Sequence, residues 1–159
     1  MHNIVLDPSE DGVTHIRVCS HAKTKLGRYL MPNARTPFSV PGMWKFDSFD
    51  AFRIWFVKGQ NDDRLRVLCN HAADQHIREL RNLETPEWQM SFRLAFMAKL
   101  TQTKIDGQTL EALLIQEKLP VYRYDVEDGD ALIHPMPSCM QGVFDGLIPL
   151  LPKRKRKRA

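Results

Sequence analysis

Thr85-Pro86-Glu87-Trp88-Gln89-Met90-Ser91-Phe92-Arg93-Leu94-Ala95-Phe96-Met97-Ala98-Lys99-Leu100 opens with a hydroxyl, a proline and an acid. That order marks a helix start. The hydroxyl can accept from the first unpaired N–H groups, and the proline ring already holds the helical φ. Phe92, Ala95, Phe96 and Leu100 then return at helical spacing, so one face is apolar. The stretch predicts a buried helix running through Leu100.

Towards the N-terminus, Leu65, Leu68, Ala72, Leu80 and Leu83 follow at steps of three, four, eight and three. These positions share a helix face and predict one long amphipathic helix over 62–83. Asp47 or Ser48 can cap a helix over Phe49 to Val57, and Gly59 stops it. Thr14 to Cys19 alternates and is rich in β-branched residues, so it predicts a strand. Between lie Gly27, Pro32, Asn33, Pro37, Pro41 and Gly42, a loop-rich stretch of the kind where binding sites are built.

Towards the C-terminus, Thr109 to Gln116 predicts a short helix. Val121 to Val126 and Ala131 to His134, joined by Glu127-Asp128-Gly129-Asp130, predict a β-hairpin. A last apolar segment spans Val143 to Leu151. The sum is an α+β fold, mainly helical: a single compact domain over 1–152 with a small sheet or β-hairpin.

The charge is divided unevenly. Lys153, Arg154, Lys155, Arg156, Lys157 and Arg158 are consecutive; without those six, the cations number 17 against 19 acids. The body is therefore slightly acidic, and residues 153–159 form a basic tail. A block of like charge repels itself and stays solvated, so the tail is expected to be disordered. It would attract nucleic acid by releasing counterions.

With 159 residues, 43% apolar and 26% charged, the chain suits one soluble domain. No uncharged apolar run approaches the ~20 residues of a membrane span. The first residues lack a basic flank and apolar stretch, so a cytoplasmic location is expected. Cys19, Cys69 and Cys139 are odd in number and far apart, predicting reduced, mostly buried thiols. No phosphate-binding glycine loop and no Cys-x-x-Cys occurs. His71 and His76 are five apart and diverge by about 140° on a helix, so no metal site and no cofactor is expected. Trp88 and Trp55 read as core or pocket wall.

One set of residues goes beyond patterning. It comprises Lys23-Thr24-Lys25-Leu26-Gly27-Arg28-Tyr29-Leu30, Pro37-Phe38, Phe46-Asp47-Ser48-Phe49-Asp50-Ala51-Phe52 and Asp63-Arg64-Leu65-Arg66. Ala98-Lys99-Leu100, Leu110 to Leu114 and Leu119 to Tyr124 follow in the expected order. Over about residues 14 to 150 the chain resembles the NADAR superfamily, the YbiA-like proteins, and more closely a subgroup from tailed phages.

The resemblance implies a compact, mainly helical domain that cleaves N-glycosidic bonds to ribose, with an ADP-ribose-like or nucleotide ligand. It also implies a host bacterial cytoplasm as the place of action. Asp50 stands where the family has its glutamate and would be the catalytic carboxylate. Arg28 would contact phosphate or ribose, Trp44 or Trp55 would stack, and Asn33, Asp74 and Arg78 would complete the ligand site.

The sequence departs from that pattern at several of these points, while Trp55 and Arg78 are retained. The family's S-N-F is Met31-Pro32-Asn33 here, which displaces the asparagine and removes a backbone N–H. Asp50 has a shorter reach than glutamate. Arg53 and Ile54 replace two aromatics, Asp74 replaces a lysine, and Ile77 replaces a glycine. Asp74 beside Asp50 would repel a diphosphate, or make an acid–base pair if the two are close. The expected function is accordingly a binding or interaction protein with degenerate catalytic motifs, engaging a host protein or nucleic acid. The alternative is an active N-glycosidase.

Overall fold

Ser48 starts the helix around which the core is assembled. In the computed structural model, which describes residues 5–42, 44–80 and 86–148, its Oγ accepts from the Ala51 N–H at 3.0 Å. The same hydroxyl donates to the Leu68 carbonyl at 2.7 Å. The described helices are α1 (Lys25–Tyr29), α2 (Phe49–Lys58), α3 (Asn70–Glu79), α4 (Pro86–Gln102), α5 (Leu110–Glu117) and α6 (Ser138–Leu147). The strands are β1 (Ile16–Arg17), β2 (Phe38–Ser39), β3 (Lys45–Phe46), β4 (Lys104–Ile105), β5 (Gln108–Thr109), β6 (Val121–Glu127) and β7 (Asp130–His134). The fold is α+β and mainly helical, as expected.

Every residue of α2 from Phe49 to Trp55 is buried. A helix covered on all sides belongs inside a core rather than on its surface. Rings weld it to α4, with Phe49 to Phe96 at 5.1 Å and Phe56 to Phe92 at 5.7 Å between centroids. Phe96 in turn meets Phe144 of α6 at 5.4 Å. Such tilted and edge-on pairs each add about 0.5–1.5 kcal/mol beyond the area they bury.

The hairpin follows its sequence. Asp128 and Gly129 both take positive φ, 50° and 82°, as an Asp-Gly turn between twisted strands requires. β6 also pairs with β1 in parallel, with Ile16 opposite Val121, so the three strands lie in the order β1-β6-β7. The Thr14 to Cys19 strand is shorter than expected, because only Ile16 and Arg17 join that ladder. His15 beside it is fully buried, with its Nε2 at 2.7 Å from the Tyr124 hydroxyl. Burial holds its pKa below the usual histidine range.

Gly27 meets the sheet at close quarters. Thr24 caps α1 by accepting from the Gly27 N–H at 2.9 Å. A Cβ on Gly27 would lie 2.1 Å from the Arg17 carbonyl oxygen. Backbone cannot yield as a side chain does, so Gly27→Ala is expected to cost about 3 kcal/mol in urea denaturation. A loss below about 1 kcal/mol would mean that α1 slides off β1 freely.

The long helix expected over 62–83 is broken. Asp63–Val67 form a 3-10 turn, Leu68 and Cys69 are extended, and α3 begins only at Asn70. Three partners outside the helix explain the break. The Leu68 carbonyl takes the Ser48 hydroxyl, the Arg66 carbonyl takes the Asp47 N–H at 2.9 Å, and the Asn70 N–H donates to the Asn33 carbonyl at 2.7 Å. Asn70 adopts φ 51°, a conformation asparagine tolerates better than most residues.

Other boundaries shift less. α5 is capped by Thr109, whose Oγ1 accepts from Ala112 N at 3.1 Å. The last apolar segment is helical from Ser138, five residues before its expected start, and its part from Pro149 lies outside the described residues. So do the capping Thr85 and the whole basic tail. The three cysteines are reduced, but only Cys139 is fully buried; Cys19 and Cys69 are half-buried, because they sit in loop and cap positions rather than in the core. Among the described residues no helix is long and apolar enough to cross a membrane.

Candidate functional site

A cleft of about 760 Å³ opens between α2, α3, the start of α4 and the hairpin. Its size suits a small-molecule ligand. Trp88 and Phe92 of α4, with Val57 and Ile77, supply an apolar wall. Arg53, Arg123, Asp125 and His134 supply the polar groups.

The hairpin places three of these by register. Arg123 lies directly opposite His134, and Asp125 is two residues further along β6. Side chains on a strand alternate, so all three share one face. His134 Nε2 and Asp125 Oδ2 are 2.7 Å apart. The cleft thus holds cationic and hydrogen-bonding groups facing a flat aromatic wall, an arrangement that suits an anion carrying a planar apolar part.

Behind the cleft is a buried ionic cluster. Arg53 donates from Nε and Nη2 to the same Asp50 oxygen, at 3.1 and 2.5 Å. Its guanidinium also lies 5.2 Å from the Phe49 ring centre. Asp50 is 2% exposed and Lys99 is fully buried. Lys99 Nζ donates to the Met31 carbonyl at 2.6 Å. Loss of hydration pushes its pKa down to about 7, and the Asp50 charge opposes that fall.

The Met31-Pro32-Asn33 loop ties this cluster to its neighbours. The Pro32 carbonyl accepts from the Asp50 N–H at 2.9 Å, and the Asn33 carbonyl accepts from Asn70. Asn33 Nδ2 donates to Asp74 Oδ1 at 2.9 Å. The loop therefore serves as a junction between α2, α3 and α4.

The candidate residues are dispersed. Asn33 meets Asp74, and Asp50 meets Arg53. Arg28 is exposed and reaches the Ala22 carbonyl at 3.4 Å. Trp44 is 57% exposed, with the Arg66 guanidinium 5.0 Å from its ring centre. Trp55 is packed in the core, 5.1 Å from Phe46. Arg78 is exposed. None of these, and not Asp50, lines the cleft. The carboxylates of Asp50 and Asp74 bond to different partners, so no contact between them makes an acid–base pair among the described residues.

Five groups at or behind the cleft were not singled out as site residues from sequence: Arg53, Lys99, Arg123, Asp125 and His134. Three carried a signal. Lys99 falls three and seven residues after Phe96 and Phe92, on their apolar face, where a charge is out of place. Arg123 and Asp125 alternate with Tyr124, which marks one polar strand face. Trp88, expected as core or pocket wall, is part of the wall. The chain matches no family model, no curated protein and no solved structure at a significant level.

Proposed function

We propose that the chain is a binding protein on a NADAR-like domain, with the cleft as its ligand site and Asp50 as a structural carboxylate. The observation that carries this reading is the state of Asp50. It is 2% exposed, accepts two bonds from Arg53, and contributes nothing to the cleft wall. A carboxylate that must reach a sugar or activate water has to approach the reacting atoms within hydrogen-bond distance. Asp50 would first have to leave a buried guanidinium.

The ligand class follows from the lining: an anion with a flat apolar part, ring against Trp88 and Phe92, charge towards Arg53 and Arg123. A nucleotide-like molecule has both parts. The six consecutive cations of the tail add weak, salt-sensitive contact with nucleic acid. By resemblance, the setting is an infected bacterium and the partner a host protein or its nucleic acid.

The test has two arms. An oligonucleotide carrying ADP-ribosylated guanine is incubated with the protein, and free ADP-ribose is sought by mass spectrometry beside an active family member. No release is expected. Naphthalene sulfonate, an aromatic anion, is expected to quench tryptophan emission saturably, with affinity about tenfold weaker in Arg123→Ala. Release of ADP-ribose that vanishes in a folded Asp50→Asn variant would overturn the reading and restore the N-glycosidase. Quenching unaffected by Arg123→Ala would remove the cleft as the site.

A further inference from the structure

β7 is the outer strand of its sheet. The order β1-β6-β7 gives it β6 on one side and, among the described residues, no strand on the other. The backbone N–H and C=O groups of alternate residues therefore point away from β6. Edge strands are commonly blunted by a proline, a lysine or a bulge. Asp130-Ala131-Leu132-Ile133-His134 contains neither residue, and its five pairs with β6 run one to one without a bulge. Its middle is apolar and open: Leu132 is 49% exposed and Ile133 37%.

We propose that β7 is a dimerisation edge whose occupant is β7 of a second copy, antiparallel across a twofold axis at Leu132. Symmetry restricts the registers. About an axis normal to the sheet, a residue can lie opposite only a residue of the same face, so the axis passes between one residue and its own copy. Of the five choices in β7, only Leu132 pairs the strand along its whole length. That register sets Asp130 opposite His134 of the second copy, and His134 opposite its Asp130. Acid and imidazole thus match at both ends, and Leu132 meets Leu132 in the middle.

The other face of the sheet matches too. Within one hairpin, Val126 lies opposite Ala131 and Ile133 opposite Tyr124. Across the axis, Ala131 falls opposite Ile133 of the second copy. Val126, Ala131, Ile133 and Tyr124 then form an apolar row over four strands, and the axis repeats it. The joined edge is short, so the dimer is expected to be weak, half-formed at about 100 μM.

His134 also belongs to the cleft wall, and its Nε2 already meets Asp125. A carboxylate only accepts, so an imidazole held by two of them needs a proton on both nitrogens. Pairing takes up that proton from solvent. The charged groups around His134 are Arg123 and Asp125 from β6, with Arg53 from α2 on the same cleft. α3 and α4 line the cleft with uncharged side chains. The dimer does not depend on what the cleft binds.

Sedimentation velocity on the full chain, from about 5 to about 500 μM, is expected to show a monomer passing into a dimer. The midpoint concentration should be several-fold lower at about pH 6 than at about pH 8. Leu132→Lys sets two ammonium groups face to face at the axis and should raise the midpoint at least about tenfold. Leu132 is exposed in the single chain, so the fold accommodates the change. Cross-linking reads the register. Under mild oxidation Leu132→Cys should give a covalent dimer, since directly opposite Cα atoms lie within disulfide reach. Ile133→Cys should not, because its own copy is displaced along the strand to roughly 8 Å. The wild-type chain, with Cys19 and Cys69 half-buried, sets the background.

A monomer at every concentration would overturn the proposal, including one whose outward β7 amides resist hydrogen exchange because the chain covers its own edge. A dimer indifferent to both pH and Leu132→Lys would put the interface elsewhere and overturn it too. Equal cross-linking through Leu132→Cys and Ile133→Cys would overturn the register, and the proposal with it.

Discussion

The wild-type chain is expected to gain about 3–4 kcal/mol of stability between about pH 7 and pH 10 that Lys99→Met does not gain. The sign follows from where the proton is held. Unfolded, Lys99 is an ordinary lysine and keeps its proton to about pH 10. Folded, burial brings its pKa down to about 7. Between the two values the unfolded chain binds more protons, so raising the pH favours the folded one.

Near and below neutrality the native state must accommodate a buried ammonium or give up the proton. Methionine has a similar stem and nothing to ionise. It forfeits the bond to the Met31 carbonyl, but that loss does not vary with pH. Urea denaturation of both proteins across this range isolates the effect, because tyrosine and cysteine titrations are common to the two and cancel in the difference. Parallel curves would mean that water reaches Lys99.

Asp50→Ala is expected to cost about 3 kcal/mol, because it removes a buried carboxylate that accepts two bonds from the Arg53 guanidinium. The same change removes the charge that holds up the Lys99 pKa, so the Lys99 titration midpoint should fall further. Thermal or urea denaturation reads the first effect, and 13C spectra of the lysine ε-carbons read the second. A double-mutant cycle with Arg53→Met separates the pair from its surroundings, and an apolar replacement of both is expected to recover much of the loss. A merely catalytic Asp50 would behave otherwise: its loss would leave stability nearly unchanged. Any activity assay on Asp50→Ala must therefore be read beside its folded fraction.

The parts of the fold that could be read in the chain are those that nearest neighbours decide. The Pro86 helix runs as its apolar spacing implies, since three- and four-residue steps bring side chains together with no help from elsewhere. The hairpin forms around Asp128-Gly129 because that turn needs two residues able to take positive φ. Ser48 and Thr109 cap the helices that follow them, each through a bond that spans three residues. The glycine of Leu26-Gly27-Arg28 was visible as part of a motif, but its reason was not. The Arg17 carbonyl that excludes a Cβ is supplied by a strand ten residues earlier.

What escaped the sequence depends on partners far along the chain. The apolar steps from Leu65 to Leu83 satisfy a helix, yet Asp47, Ser48 and Asn33 draw the backbone around residues 66–70 out of it. Local periodicity has no term for such bonds. Asp50 stood at an early helical position that suited an acid, and only the family resemblance gave it a catalytic role. Its burial and its bonds from Arg53 arise from the tertiary structure. The cleft needed Arg53 and Arg123 on one wall system, seventy residues apart and on a helix and a strand.

The chain by itself therefore determined the α+β class, the starts of α2, α4 and α5, the hairpin turn and the division between a near-neutral body and a basic tail. Each rests on short-range sterics, spacing or charge, which travel with the residues. Only the tertiary structure decided which charges are buried together, which residues face the cleft, and how Lys99 comes to titrate near neutrality. Those properties arise from desolvation and from distances between remote segments, and neither exists until the core has closed.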